Sequence, residues 1–175
     1  LHYAYDASGN ITSIRDTAQQ KLFLSHNMEN ADREFAYDAI GRLIEGTGRE
    51  HSGQGLVTHS YNDAGRTHQA HPHDASQMSR YQEQYRYDLV GNMLELSHTR
   101  LQDHVRWVRR FTYSESSQLE PNRSSNRLTK VALGHSETSY SIGNDGYDMH
   151  GNMLRMEHLN SMEWNPWDQL QSTSR

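Results

Sequence analysis

Cysteine is absent from these 175 residues, which removes a disulfide framework, a thiol nucleophile and any thiolate metal site together. Aliphatic residues are scarce: Leu, Ile, Val and Phe contribute only 28 residues, and mean hydropathy is −1.00. No apolar run approaches the roughly 20 residues that cross a bilayer, so no membrane span is expected. The chain begins with Leu1 rather than Met and shows no signal-peptide pattern, so it is expected to start inside a larger protein. So few aliphatics normally accompany disorder, but disorder also calls for high net charge, and −5 is modest. An acidic chain without a broad basic field is a poor partner for nucleic acid.

What is present is a short pattern, five times over: Tyr5-Asp6-Ala7-Ser8-Gly9-Asn10, Tyr37-Asp38-Ala39-Ile40-Gly41-Arg42, Tyr61-Asn62-Asp63-Ala64-Gly65-Arg66, Tyr87-Asp88-Leu89-Val90-Gly91-Asn92 and Tyr147-Asp148-Met149-His150-Gly151-Asn152. A recurring supersecondary unit means an array. Each copy reads as a β-hairpin. The aspartate accepts backbone N–H bonds from two residues on, two permissive residues follow, and the glycine supplies a left-handed conformation. The tyrosine before the turn sits on one strand, and apolar pairs such as Leu43-Ile44, Met93-Leu94 and Met153-Leu154 open the returning strand.

The repeat tyrosines lie 32, 24, 26 and 60 residues apart. The first three intervals fit one hairpin and its connection. The last has room for a longer hairpin, with Arg106 to Tyr113 and Arg127 to Leu133 as strands and Ser116 to Asn126 as a polar loop around Pro121. Tyr113 has no Gly after it and is not counted as a copy. Period-two alternation at Tyr3 and Tyr5, Tyr85 and Tyr87, Leu94 and Leu96, and Leu154 and Met156 favours strands. Thr17 to Arg33 and Ala75 to Gln84 are compatible with helix as well. The reading is all-β: an antiparallel hairpin array with a thin apolar layer, forming a single repeat region over 1–175 with repeats near 5–14, 37–46, 61–66, 87–96 and 147–156, and a piece of a longer array because both sheet edges would otherwise be exposed.

The Tyr-Asp-x-x-Gly-Asn/Arg-Leu/Met pattern resembles that of the YD-repeat, or Rhs, family. Near the end of the chain, Tyr147 to Leu154 runs into His158-Leu159, Met162-Glu163-Trp164-Asn165 and Asp168-Gln169-Leu170. This stretch is similar to the segment before the core of Rhs polymorphic toxins and of the C component of bacterial insecticidal toxin complexes. The resemblance implies a spiralling β-shell around a toxic C-terminal polypeptide, a noncatalytic structural role, and secretion or delivery by a bacterial system. The implied partners are the remainder of the shell, the enclosed polypeptide and a toxin-complex partner subunit. Adhesion barrels of animal teneurins carry similar repeats. The Asp-Pro-x-Gly self-cleavage motif of bacterial members is absent: Pro72, Pro121 and Pro166 follow His71, Glu120 and Asn165.

The candidate site residues are those of the turns: Tyr5, Asp6, Gly9, Tyr37, Asp38, Gly41, Tyr61, Gly65, Tyr87, Asp88, Gly91, Tyr147, Asp148 and Gly151. The aspartates could be mistaken for catalytic acids, but their place before Gly makes them turn acceptors. No nucleophile motif supports an enzyme. His68, His71, His73 and Asp74, with His51 and His59 upstream, hold ligand-type side chains, yet polar loops collect histidines without binding metal, so neither metal nor other cofactor is expected. Twelve histidines would carry the net charge to roughly +7 in acid if all were exposed. An acid-loosened shell is one consequence, and surface histidines with no switching role are the preferred account. Arg106-Trp107-Val108-Arg109-Arg110-Phe111 mixes cations with aromatics, as nucleic-acid binders do. Alternation puts Trp107, Arg109 and Phe111 on one face, which favours cross-strand packing instead. Trp164 and Trp167 flank Pro166 and carry the alternative function, glycan binding or cell-surface adhesion. Their competing role is to plug a strand end.

Overall fold

The structure is a computed structural model that describes residues 1–18, 22–24, 27–29, 31–51, 78–117, 119–120, 122–141, 146–156 and 159–174. Among the described residues there is no helix. The strands are β1 (His2–Tyr5), β2 (Ile11–Arg15), β3 (Leu22–Leu24), β4 (Asn27–Glu29), β5 (Arg33–Tyr37), β6 (Leu43–His51), β7 (Met78–Tyr87), β8 (Met93–Arg100), β9 (Arg106–Thr112), β10 (Lys130–Leu133), β11 (Ser136–Ser139), β12 (Ser161–Trp164) and β13 (Leu170–Ser174). The turn at Tyr61–Arg66, including Tyr61 and Gly65, and the ligand-type cluster at His59, His68, His71, His73 and Asp74 lie outside the described residues.

The chain divides into two compact units, one from Leu1–Val57 and Gly65–Val108 and the other from Thr58–Ala64 and Arg109–Arg175. In the first unit, β1, β2, β5, β6, β7 and β8 lie side by side in that order, each antiparallel to the next. Chain neighbours thus pair as hairpins, and successive hairpins pair edge to edge, as an array of turn-specified hairpins requires. The β5–β6 hairpin closes on a register shift: Ala36 faces Glu45 but Tyr37 faces Leu43, leaving Ile44 as an extra residue. The same shift occurs at Ala4/Tyr5, Arg86/Tyr87 and Glu163/Trp164. It is the bulge that a turn ending in a left-handed residue imposes.

Both helix-compatible readings are overturned. The described part of Thr17 to Arg33 contains the β3–β4 hairpin and the start of β5, and residues 78–84 belong to β7. Three-residue strands are too short to display alternation, so good helix formers around Leu22 and Met28 dominate the local signal. In the second unit, β9 pairs with β10 and β10 with β11, and β12 pairs with β13. β10 starts at Lys130, three residues later than Arg127, and Thr129 just before it donates both its N–H and its hydroxyl to Thr112 O, at 2.7 and 2.8 Å.

Packing differs between the units. The second unit has a small apolar core of Val131, Tyr140 and Tyr147, with Phe111, Leu128 and Met153 against it. In the first, the buried side chains among the described residues are polar: Ser79, Ser97, His98 and Arg100. Polar burial is tolerated only when each group finds partners, so the hydrogen bonds of this unit carry much of its specificity.

Candidate functional site

Four of the five copies are described, and their turns superimpose bond for bond. Oδ1 of Asp6, Asp38, Asp88 and Asp148 accepts the N–H two residues on, from Ser8, Ile40, Val90 and His150, at 2.9–3.1 Å. It also accepts the N–H four residues on, from Asn10, Arg42, Asn92 and Asn152, at 2.8–2.9 Å. Oδ2 accepts the side chain of that fourth residue: Asn10, Asn92 and Asn152 through Nδ2, and Arg42 through Nε at 2.6 Å. Gly9, Gly41, Gly91 and Gly151 donate to the aspartate carbonyl and have φ of +88°, +81°, +101° and +93°.

These bonds hold the carboxylates below their ordinary range. For Asp6 the main cause is the Asn10 side chain, and for Asp38 the Arg42 backbone N–H. For Asp88 and Asp148, desolvation pushes upward but is outweighed by bonds from Asn92 and Asn152. A carboxylate with three donors on it is a poor proton carrier. The residue after the glycine is therefore a working part of the turn, absent from the candidate residues picked from sequence, although its restriction to Asn or Arg was visible there.

A sixth turn of this geometry occupies Asn165 to Gln169 with different letters. Asn165 Oδ1 accepts N–H bonds from Trp167 and Gln169, both at 3.0 Å, and Asn165 Nδ2 donates to Gln169 Oε1 at 3.0 Å. Asp168 takes the glycine position at φ +58°, a conformation Asp tolerates better than most residues. Trp164 holds the tyrosine position, half-buried, and Trp167 stands at the turn tip, 78% exposed. The two rings have separate surroundings.

Lateral contacts join successive turns. The Tyr37 hydroxyl donates to Ile11 O at 2.9 Å, the Tyr147 hydroxyl to Leu128 O at 2.8 Å and Trp164 Nε1 to Met153 O at 2.7 Å. In each case the aromatic residue that opens one turn hooks the carbonyl of the residue that leaves the turn before it. Between the Tyr37 and Tyr87 hairpins the link differs: Arg42 lies 5.0 Å above the Tyr87 ring and donates to Asp88 O at 2.9 Å. Asp168 Oδ1 is met by His150 Nδ1 at 2.9 Å and Asn152 Nδ2 at 2.8 Å. The hook on Leu128 explains Tyr113. The chain between Tyr113 and Arg127 makes a loop closed by Ser125 N–H on Glu115 O and Ser117 N–H on Arg123 O, both 2.7 Å, and Arg127 then lies 3.0 Å from where a Cβ on Gly151 would be. Arg127 and Leu128 do what Asn10 and Ile11 do, so this is a copy whose tight turn has become a loop.

A second cluster lies inside the first unit. His98 is 5% exposed and stacked between the Tyr81 and Trp107 rings, each centroid 5.0 Å away. Its Nε2 donates to Glu50 Oε1 at 3.0 Å and its Nδ1 to Glu83 Oε1 at 3.3 Å, while the Tyr85 hydroxyl donates to Glu83 Oε2 at 2.7 Å. Burial alone would lower the His98 pKa, but the two carboxylates outweigh it and raise it to about 9. Burial likewise opposes the ionised Glu83, and the bonds from His98 and Tyr85 prevail and lower its pKa. The result is an imidazolium clamp across β6, β7 and β8, faced by two rings that favour a cation. In β9, Trp107 joins this cluster, Arg109 is buried, and Arg106 and Arg110 are exposed. No group of three or more metal-ligand side chains occurs among the described residues, and no helix there is long and apolar enough to cross a membrane.

Hairpins tied turn to turn by aromatic hooks make an all-β antiparallel array. No family model matches the chain. Among the proteins it is similar to are two toxin subunits of Yersinia entomophaga: YenC2, 28% identical over 117 residues, covering 67% of this chain and 12% of that subunit, and YenC1, 25% identical over 99 residues, covering 57% and 10%. Among solved structures, the crystal structure of TcdB2-TccC3-TEV matches with a TM-score of 0.62 and 24% identity over 97% of this chain and 7% of that one. These likenesses support a YD-repeat relationship and an all-β fold, and the chain spans about a tenth of the length of the curated relatives it matches.

Proposed function

We propose that the chain is a noncatalytic wall segment of a toxin-complex shell, a single repeat region over residues 1–175 whose hairpins help enclose a toxic C-terminal polypeptide until delivery. The observation that carries this reading is the state of the repeat carboxylates: in each described turn both oxygens accept bonds that shape the hairpin, so the most abundant acidic motif builds structure. Its partners are the rest of the shell, the enclosed polypeptide and a partner subunit of the complex, and its setting is a secreted or delivered toxin. The likeness to YenC2 and YenC1 supports the toxin-complex context. Native digestion of the parent polypeptide with a nonspecific protease tests enclosure. The repeat region and a separate C-terminal polypeptide should both survive, the latter becoming digestible only after the shell is denatured. A surviving repeat region with nothing enclosed overturns it.

Exposure of Trp167 at 78% favours a second reading, a glycan-binding or adhesion surface, since a ring at a turn tip is open to a sugar face. Saturable binding on a glycan array that Trp167→Ala abolishes would support that reading. Trp164 has a structural duty through its bond to Met153 and is a weaker candidate.

A further inference from the structure

Three junctions between successive turns are spanned by a cationic or protonatable side chain. Arg42 leaves the Tyr37 turn, lies over the Tyr87 ring and donates to Asp88 O at 2.9 Å. The Arg127 guanidinium lies 3.0 Å from where a Cβ on Gly151 would be. Across the last junction His150 Nδ1 and Asn152 Nδ2 both meet Asp168 Oδ1. The junction between the Tyr5 and Tyr37 turns is built differently. Asn10, in the place of Arg42, gives its Nδ2 to Asp6 of its own turn, and its side chain stays 3.8 Å from the Cβ position of Gly41. Between the two turns lies an open cavity of about 590 Å³, within the size range of small-ligand pockets. Asp6, Ser8 and Asn10 line one side, and Tyr37, Asp38 and Gly41, the counterparts of Tyr87, Asp88 and Gly91, line the other. Phe35 adds an aromatic surface, and no Lys, Arg or His lines the cavity. Arg42 bonds Asp38 but reaches the opposite way, to Asp88. The donors on the Asp6 carboxylate among the described residues are all neutral, so its charge stands uncompensated there. β2, which leaves the first turn, pairs with β5, which enters the second, so the cavity lies inside the array and not at its edge.

We infer that this cavity binds a guanidinium group, the side chain of an arginine presented by another polypeptide, which fills the first junction as Arg42 fills the next. The choice of group follows from that neighbouring junction, where one guanidinium bonds a turn carboxylate, bonds a turn carbonyl and faces a tyrosine ring. A planar fork of donors serves all three at once, which an ammonium does less well. In the open cavity the Asp6 carboxylate supplies the charge, and a carboxylate oxygen has lone pairs enough for a second donor beside Asn10. The choice of a polypeptide follows from size, since the cavity is far larger than a guanidinium and leaves room for the arginine stem and flanking backbone.

The probe is acetyl-Gly-Arg-Gly-amide, titrated into the protein at low salt with amide NMR shifts reporting both affinity and location. Its control is the same peptide with citrulline for arginine, which keeps the shape and loses the charge. The expected result is saturable binding at roughly millimolar peptide, shifts centred on residues 6–12 and 35–41, and about tenfold weaker binding of the citrulline peptide, as loss of a charge-assisted hydrogen bond entails. Asn10→Arg supplies the missing cation from within the chain and should weaken peptide binding at least as much while its amide spectrum stays folded. If that variant does not fold, the citrulline contrast on the unmodified protein decides alone. N-acetylagmatine, the same cation without flanking residues, should bind more weakly than the arginine peptide. Equal binding of the arginine and citrulline peptides, shifts centred elsewhere, unchanged affinity in folded Asn10→Arg, or no saturation at tens of millimolar peptide would each overturn the guanidinium site. N-acetylagmatine binding as tightly as the peptide would overturn its polypeptide source. Each of these failures leaves the protease experiment on enclosure unaffected.

Discussion

Raising the pH should weaken the first unit through one histidine. His98 is folded with a pKa of about 9, against an unfolded value near 6.5. A base whose folded pKa is raised gives stability that is complete below the unfolded pKa and disappears as pH rises through the folded one. The window therefore runs from about pH 6.5 to a little above 9. A difference of two to three units, each worth about 1.4 kcal/mol, makes the loss about 3 kcal/mol. That is a large share of an ordinary domain's stability. Urea unfolding followed by tryptophan fluorescence at pH 6, 7.5 and 9.5 measures it, since Trp107 reports on the clamp from within. The upper limit stops short of the titration of Tyr81 and Tyr85, whose pKa values are raised mainly by burial. An NMR titration of the His98 ring gives the midpoint directly. Stability flat across this range, or a midpoint below 7, would refute the charged clamp. Because His98 is protonated at neutral pH, acidification adds no charge there, and any acid-triggered loosening must come from other histidines.

Two further predictions concern single positions. Asp88→Ala removes the acceptor of three bonds in its turn and should lower the thermal midpoint of the first unit clearly more than Glu34→Gln, at an exposed position of β5. Asp103 is unsuitable as a control because its carboxylate accepts both Nε and Nη2 of Arg100, and a midpoint change no greater than that of Glu34→Gln would count against the turn role. Gly48→Ala places a Cβ 2.6 Å from the Tyr81 hydroxyl, so Tyr81 must leave its stack on His98. The cost should be about 1–3 kcal/mol in chemical unfolding, typical of overpacking, with a lowered His98 midpoint, and an unchanged midpoint would separate Tyr81 from the clamp.

The hairpin turns were legible in the sequence because their chemistry is local: an aspartate, a glycine and the residue after it lie within five positions, and all their bonds close there. The turn at Asn165 to Gln169 escaped because all four signature positions are substituted by residues of like function: Trp for Tyr, Asn for Asp, Asp for Gly and Gln for Asn. The Tyr113 copy escaped because its turn became a loop, and only the hook on Leu128 and the contact of Arg127 with Gly151 betray it. The clamp was illegible for a different reason. Glu50, Glu83, His98 and Trp107 come from four strands, and only the pairing of β6 with β7, β7 with β8 and β8 with β9 brings them together. Among twelve histidines, sequence offered no ground to single out His98.

Asp168 separates the two things a turn residue can do, hold backbone shape and reach a neighbour. At φ +58° glycine would be easier on the backbone, so Asp168→Gly relieves strain while deleting the acceptor of His150 Nδ1 and Asn152 Nδ2. The first effect is independent of pH. The second is not, because the bond to Asp168, followed by its charge, raises the His150 pKa. By the rule for a raised base, that contribution is complete below about pH 6.5 and fades as His150 deprotonates. Glycine should therefore be the worse residue at pH 5.5 and approach or exceed the wild type at pH 8.5. Thermal unfolding of both proteins at the two pH values reads this as a change in the midpoint difference. An identical difference at both would mean that the His150–Asp168 pair, exposed as it is, does not tie the fifth and sixth turns together in solution. A pH-dependent difference would mean that the sixth turn kept a left-handed aspartate for the link it makes to its neighbour, at the expense of its own backbone.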